Sequence, residues 1–168
     1  MVKWCRTLRD IPFAQLMKIY EEGNLEKARE EYADFPRDVG LRMAEEDFYL
    51  YLQPVFFRTP GSCYALWIEA ETPVSALRLE PYRDGLLLAA LETAPDSRRK
   101  GCGKKLVQAV LTQAGEKKIY SHVSKSNVPS LCLHEACGFV RVKETALYLD
   151  GSVNSKCCTF LYEKTCIL

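Results

Sequence analysis

The sequence lacks a long apolar run and has almost no net charge. Its 168 residues carry 23 lysines and arginines against 22 acids, a formal charge of +1 at pH 7. This balance gives no overall field that would attract nucleic acid or an anionic membrane. No apolar stretch approaches the roughly 18 residues of a membrane span, and Asp10 and Glu21-Glu22 stand where a signal peptide would be apolar. We therefore expect a cytoplasmic protein that binds neither nucleic acid nor a membrane.

The sequence also lacks residue spacings that are typical of a metal site. Eight cysteines are present, among them Cys102 and Cys166, but no Cys-x-x-Cys pair and no His/Cys ligand spacing occurs. Buried cysteines behave as small hydrophobic residues. We expect free, mostly packed thiols in a reducing compartment and no bound metal.

A basic turn that contains two glycines is the most informative feature present. Residues 86–93 form a short apolar run that predicts a buried strand. Residues 106–114 repeat apolar side chains at three- and four-residue spacing, which predicts a helix that ends near Gly115. The turn between them leads into a helix start, where free backbone amides and the helix dipole favour an anion. Five cations lie in or beside this turn: Arg98, Arg99, Lys100, Lys104 and Lys105.

Two common phosphate-binding loops do not fit this turn. A Walker loop requires a hydroxyl residue after its lysine, whereas Lys104 is followed by Lys105. The dinucleotide fingerprint requires a third glycine in the pattern Gly-x-Gly-x-x-Gly, but Gly101 and Gly103 are followed by Lys104-Lys105-Leu106. The pattern that remains is Arg-x-x-Gly-x-Gly.

The segment after the turn supports one family. Residues 119–124 predict a strand, Asn127 is placed to open a short helix, and Gly138-Phe139 follow that helix. With the Arg-x-x-Gly-x-Gly turn before them, these features resemble the GNAT superfamily of N-acetyltransferases, and the resemblance covers about residues 64–163. His134 stands where this superfamily usually has a Tyr.

The resemblance implies the fold. We expect one α/β domain over residues 1–168, with a central, mixed but mostly antiparallel twisted sheet of six or seven strands flanked by helices. Residues 1–63 would supply an N-terminal strand and helices on the acceptor side, and residues 64–163 the coenzyme-binding core. Two central parallel strands would separate to admit coenzyme A.

Local patterns predict elements at both ends of the chain. Asp10 is predicted to cap a first helix, and Gly23-Asn24 to end it, with a second helix running from Asn24 to about Tyr32. Residues 140–149 and 156–162 predict a hairpin around Asp150-Gly151.

The resemblance also implies a donor and the residues that bind it. Acetyl-CoA would be the co-substrate, with its pantetheine arm beside the end of strand 86–93 and its pyrophosphate on the basic turn. The residues implied for coenzyme binding are Thr93, Ala94, Arg98, Arg99, Lys100, Gly101, Cys102, Gly103, Lys104 and Asn127.

Two residues are the candidate catalytic groups. Glu92 is the candidate base because it lies at the strand end beside the expected thioester. His134, at the usual Tyr position, is the candidate acid for the leaving thiolate. Glu69 is the reserve base and Tyr148 the reserve acid. His122 alternates with Val123 on its strand, a pattern more typical of a structural or surface histidine.

The acceptor is defined only by class. The resemblance implies a primary amine of a small molecule or a peptide, and acidic runs such as Glu45-Glu46-Asp47 either attract that amine or form a solvated helix face. A symmetric homodimer is a reasonable expectation because such dimers are common. The alternative function is an acyl-CoA-binding regulatory or interaction module on the same fold, which the substituted Tyr position keeps open.

Overall fold

The computed structural model describes residues 1–164 and is built around a seven-stranded mixed sheet. The strand order is β1-β2-β3-β4-β5-β9-β6, and every neighbouring pair is antiparallel except β4 and β5, which are parallel. This confirms the predicted α/β fold. The strands of this sheet are β1 Val2–Cys5, β2 Cys63–Glu69, β3 Thr72–Tyr82, β4 Gly85–Thr93, β5 Lys118–Ser124, β6 Val140–Lys143 and β9 Cys157–Tyr162. Strands β7 (Ala146–Leu147) and β8 (Val153–Asn154) pair separately.

Five α-helices cover the two faces of the sheet. They are α1 Phe13–Ile19, α2 Glu21–Glu31, α3 Arg37–Leu52, α4 Cys102–Ala114 and α5 Val128–Ala136. Leu106 and Val107 of α4 pack with Leu77 and Leu79 of β3 in one core. Because side chains alternate along a strand, Arg78 between them faces the opposite side, where the N-terminal helices pack in a second core.

The two parallel strands separate after a short paired stretch. Their register runs from Gly85 opposite Lys118 to Leu88 opposite Ser121. Strand β4 continues to Thr93 and β5 to Ser124 without further pairing between them. Beyond Leu88 the backbone groups of β4 and β5 no longer bond to each other, and the β4 carbonyls of Ala90, Glu92 and Thr93 accept side-chain hydrogen bonds instead.

The N-terminal helices differ from the sequence prediction at two points. Asp10 does not cap α1, because its carboxylate accepts the backbone N–H groups of Arg6 and Thr7 at 3.0 and 2.9 Å. Gly23 and Asn24 do not break a helix either, since both lie inside α2. Asn24 is buried and its side chain contacts Met17 at 3.5 Å, so tertiary packing offsets the roughly 1 kcal/mol cost of an interior glycine.

The C-terminal hairpin forms, with an interruption. Its outer arms pair as β6 with β9, whereas β7 and β8 near the turn form a separate two-stranded ladder. The seven cysteines among the described residues are free, and Cys166 lies outside those residues. Among residues 1–164, no helix is both long and apolar enough to cross a membrane.

Candidate active site

The basic turn and the start of α4 form a concave backbone surface. Gly101 precedes the helix with φ of 78°, a left-handed conformation that costs glycine little. The first helical hydrogen bond at this end joins Lys105 N–H to the Gly101 carbonyl at 2.9 Å. The amides of Cys102, Gly103 and Lys104 therefore have no partner within the helix, and no side chain caps it.

Gly103 allows the helix start to lie close to the strand end. A Cβ atom at this position would lie 3.2 Å from Thr93 Oγ1, tighter than ordinary van der Waals contact, and 3.4 Å from Leu133 Cδ1, at the lower limit of such contact. A side chain here would require these atoms or the helix start to move by a few tenths of an ångström. The glycine spacing therefore serves helix packing as well as the approach of a ligand.

Part of the positive charge in the turn is already engaged. Arg98 donates from Nε to the Thr93 carbonyl at 3.0 Å and from Nη2 to Glu22 Oε2 at 2.6 Å. Lys100 donates to the Asp96 carbonyl at 2.6 Å. These two side chains hold the turn in shape.

Two other cations of the turn face a cavity. In residues 1–164, neither Arg99 nor Lys104 forms an ion pair with an acidic side chain. Both line the cavity described next. They are the cations of this turn that remain free to meet an anion.

A cavity of about 580 Å³ lies in front of the helix, and we call it the helix-start cavity. Its walls come from the end of β4, the basic turn and the start of α5. The lining residues are Glu22, Leu91, Glu92, Thr93, Ser97, Arg98, Arg99, Gly101, Cys102, Gly103, Lys104, Asn127, Pro129, Ser130 and Leu133. Of the residues predicted to bind coenzyme, only Ala94 and Lys100 are not in this wall.

Asn127 holds the start of α5 beside this cavity. Its Oδ1 accepts the Ser130 backbone N–H at 3.1 Å, which is the geometry of an N-cap. The cap function inferred from sequence is therefore present, and Asn127 also belongs to the cavity wall.

Glu92 lies at the rim of the helix-start cavity. Its side chain is 49% exposed and one carboxylate oxygen is 3.9 Å from Arg98 Nη2. Partial burial raises the pKa of Glu92 above its ordinary value, while the positive charge of Arg98 opposes that shift. Glu92 can therefore reach a ligand in this cavity, but it is a solvated carboxylate with a cation close by.

The geometry does not favour His134 as an acid. It is only 1% exposed, packs against the rings of Phe139 and Phe160, and is absent from the wall of the helix-start cavity. Its Nδ1 lies 2.8 Å from the Ser130 carbonyl, so Nδ1 carries the proton and the neutral ring has none on Nε2. Burial lowers the pKa of His134, which further disfavours the protonated form that an acid needs.

The reserve base and one residue of the acidic run 45–47 have partners away from the helix-start cavity. Glu69 accepts a hydrogen bond from Trp67 Nε1 at 3.0 Å, which is the main cause of its lowered pKa, and lies 3.8 Å from Lys105. Asp47 forms an ion pair with Lys27 at 2.8 Å and accepts a hydrogen bond from the Tyr32 hydroxyl, so it connects α3 to α2 and the residue that ends α2.

A second cavity of about 430 Å³ lies on the sheet face opposite α4, and we call it the sheet-face cavity. It begins where β4 and β5 separate. Its lining residues are Tyr51, Arg78, Glu80, Leu87, Leu88, Ala89, Ala90, His122, Tyr148, Leu149 and Asp150. Strand β4 is shared by both cavities, because Leu91 to Thr93 line the other one.

The sheet-face cavity contains polar side chains that sequence patterns did not single out as functional. His122 stacks edge-on between Tyr82 and Tyr148, with ring centroids 5.4 Å away in each case. Neither ring nitrogen has a hydrogen-bond partner among the described residues. Burial, and to a smaller extent the charge of Arg83, lowers the pKa of His122. His122 lies one residue after Ser121, the last β5 residue that pairs with β4. Knowledge of this strand register would have identified His122 as a candidate functional residue.

Comparisons with known proteins identify the family of the chain. The model of the acetyltransferase (GNAT) family matches residues 24–139, more than half of the chain. The chain belongs to this family, whose members are acetyltransferases. A search of curated proteins finds no match to the sequence.

Solved acetyltransferases share the fold over nearly the whole chain. The IAA acetyltransferase from Bacillus cereus has a TM-score of 0.61 at 15% identity, covering 98% of this chain and 99% of its own. The PaiA N-acetyltransferase from Thermoplasma acidophilum, solved with coenzyme A, has a TM-score of 0.64 at 12% identity with coverages of 98% and 99%. The ribosomal-protein-S18-alanine N-acetyltransferase from Escherichia coli has a TM-score of 0.59 at 16% identity with coverages of 100% and 99%.

Proposed function

We propose that the protein transfers the acetyl group of acetyl-CoA directly to a primary amine in a ternary complex. The observation that carries this proposal is the gap between β4 and β5, which starts beyond Leu88 and Ser121 and has a cavity on either side of β4. The donor enters from the helix-start cavity and the amine from the sheet-face cavity. Membership of the GNAT family and the solved neighbours with coenzyme A or acetyl-CoA support this direction.

The helix-start cavity fits the coenzyme. The amides of Cys102, Gly103 and Lys104 point from a helix start that has no side-chain cap, and they suit a pyrophosphate. Arg99 and Lys104 add positive charge at the same wall. Beyond Leu88, the backbone groups of β4 that bond neither to β5 nor to a side chain are available to the amides of the pantetheine arm. The coenzyme supplies the activated thioester, and these residues bind and orient it.

Proton removal from the amine is the larger task for the protein. A free alkylamine with a pKa of about 10.4 needs about 4 kcal/mol to lose its proton near pH 7.4. His122 is the group that geometry favours for this role, because it lies where the strands separate and its lowered pKa keeps the ring neutral. Glu92, the base inferred from sequence, lies farther along β4 and remains the competing candidate.

Protonation of the leaving thiolate needs less help. A thiol pKa of about 8.5 corresponds to about 1 to 2 kcal/mol near pH 7.4. Tyr148 is the better-placed donor of the two candidates, since it lines the sheet-face cavity and a tyrosine hydroxyl carries its proton near neutral pH. His134 is buried as a neutral ring and is not assigned this step.

The test is acetyl transfer to a panel of amines. The protein is incubated with acetyl-CoA and, in turn, an amino acid, an amino sugar, a polyamine and a short peptide. Coenzyme A release is followed by a thiol reagent and N-acetylated product by mass spectrometry. We expect matched release and product with at least one amine. Binding of acetyl-CoA without product from any amine would contradict the proposal and favour the regulatory module, for which the buried His134 in place of a Tyr is the supporting observation.

A further inference from the structure

Arg78 is a partly buried cation with no hydrogen bond among the described residues. Its side chain is 20% exposed, and its guanidinium lies over the rings of Tyr51 and Phe56 at 5.0 and 5.8 Å. Glu80 Oε1 is 3.7 Å from its Nε, close enough for an ion pair but too far for a hydrogen bond. The Nε is shielded from solvent and has no hydrogen-bond partner in residues 1–164. Most of the guanidinium donors, which suit two-pronged binding of an anion, are left unused.

Glu80 is the acidic residue beside Arg78 in this cavity. The residue is 8% exposed, faces the same cavity, and accepts no hydrogen bond in the part of the chain that the structure describes. A buried charge is costly unless it is paired and hydrogen-bonded, and the loose contact between Arg78 and Glu80 meets that need poorly. A ligand with one anionic and one cationic group would satisfy both side chains.

We propose that the sheet-face cavity binds acceptors of the α-amino acid class. The carboxylate of the acceptor binds Arg78, and its ammonium binds Glu80. The two charged groups of an α-amino acid are attached to one carbon, so they can meet two protein charges that are already close together. This inference rests on the proposed function, because it names the amine that would be acetylated.

The position of the pair suits acetyl transfer. Glu80 lies opposite Leu87 in the β3–β4 register, and Leu87 lies opposite Tyr120 in the β4–β5 register. His122 is two residues beyond Tyr120 on the same face of β5. An ammonium held by Glu80 therefore lies on the same face of the sheet as His122, whose two ring nitrogens are shielded from solvent and have no hydrogen-bond partner among the described residues.

The cavity also limits the kind of acceptor. Its volume of about 430 Å³ suits a small molecule, and Tyr51 and Tyr148 give its wall an aromatic part against which an apolar side chain can pack. Arg78 is accompanied by two acidic residues in the wall, Glu80 and Asp150. These three charges sum to −1, which disfavours a phosphate dianion, whereas a zwitterion presents one group to each sign of charge.

Binding separates this inference from the proposed function. Protein saturated with desulfo-coenzyme A, which cannot react, is titrated by calorimetry with each common L-amino acid and with its carboxamide. We expect at least one amino acid to bind roughly tenfold or more tightly than its carboxamide, because the amide lacks the charge-assisted contact to Arg78. Equal binding of the pair, or no binding of any amino acid, would overturn the inference.

Variants locate the effect. Arg78→Gln should abolish the preference for the amino acid over its carboxamide. Arg78→Lys should preserve the fold but reduce this preference, since lysine cannot form the two parallel hydrogen bonds that an arginine makes to a carboxylate. Arg42→Gln is the control, because Arg42 is an exposed arginine of α3 that pairs only with Asp38 among the described residues. Acetylation of simple amines with no preference for amino acids would leave the proposed function standing and refute this inference. Tight binding of an amino acid without acetylation would support amino acid binding in this cavity and refute the proposed acetyl transfer.

Discussion

Arg98 Nη2 lies 2.6 Å from Glu22 Oε2, and this contact joins helix α2 to the basic turn before α4. Arg98 Nε at the same time holds the Thr93 carbonyl. The arginine thus connects the N-terminal helices, the end of β4 and the turn. Glu22 also lines the helix-start cavity, so a negative charge lies in the wall proposed for a pyrophosphate.

Removing this charge should strengthen coenzyme binding. Glu22→Gln is expected to lower the Kd for acetyl-CoA about two- to fivefold at low salt, since one unit charge at close range in water is worth about 1 kcal/mol. The effect should fade at high salt because the site is open to solvent. Calorimetric titration of wild type and Glu22→Gln with acetyl-CoA at two ionic strengths measures the change in Kd and its dependence on salt.

Stability and a neighbouring residue provide the checks. Glu22 and Arg98 are exposed, so the loss of their pair should change the free energy of unfolding by less than about 1 kcal/mol. Glu26→Gln, on the same helix and exposed, removes an equal charge outside the cavity wall and should leave the Kd unchanged. An equal effect of both substitutions would mean that the net charge of the protein, and not this site, sets the affinity.

The helix-start cavity could be predicted from sequence because its parts are local. Gly101, Gly103 and the cations lie within a few residues of each other, and Asn127 comes shortly after the next strand, β5. A turn between a strand and a helix has few conformations, so spacing alone fixes where the amides point. Eight of the ten predicted coenzyme residues accordingly line one cavity, and Ala94 and Lys100 do not.

The sheet-face cavity could not be predicted in the same way. Arg78, Glu80, His122 and Tyr148 come from three separate segments, and only the strand register brings them to one face. A shift of one residue would turn each strand side chain to the other face. The prediction that Gly23 ends a helix was wrong for a similar reason. Gly23 lies inside α2, where packing overrides the tendency of glycine to end a helix.

The two glycines of the turn should respond differently to substitution. Gly103→Ala is expected to cost about 1 to 3 kcal/mol of stability, because the new methyl group meets Thr93 and Leu133. It should also weaken acetyl-CoA binding several-fold by moving the helix start. Gly101→Asn should cost less than about 1 kcal/mol, since asparagine tolerates a left-handed backbone and open space surrounds the position. Thermal unfolding and calorimetry distinguish the two.

The identity of the base can be read from paired variants. If His122 accepts the proton, His122→Gln should lower kcat/KM by about 10²- to 10⁴-fold, with little change in the Kd for acetyl-CoA. The acidic limb of the wild-type pH profile should have its midpoint below the ordinary histidine pKa, because burial lowers that of His122. That limb should be lost in His122→Gln.

Glu92→Gln is the matched variant. With His122 as base, it should keep the wild-type pH profile and lose only a few-fold in rate, since Glu92 is half-exposed at the rim. A loss of the acidic limb in Glu92→Gln, with the limb intact in His122→Gln, would return the role to Glu92.

His134 should make folding stability depend on pH. Burial lowers its pKa in the folded protein, whereas the unfolded chain has the ordinary value of about 6.5. Below that pH the unfolded state takes up a proton that the folded state resists, so the free energy of unfolding falls as pH falls, by at most about 1.4 kcal/mol per pH unit. Above that pH this histidine contributes no slope.

His134→Gln removes this group and tests its role in catalysis as well. Urea unfolding at a series of pH values between about 7.5 and 5 should show a smaller fall in stability for the variant than for the wild type. Its stability near neutrality should be lower by about 1 to 3 kcal/mol, because the ring fills the space beside Phe139 and Phe160. Since glutamine cannot donate a proton as an acid, kcat within about twofold of wild type would exclude His134 as the proton donor, and a fall of about 10²-fold would restore that role.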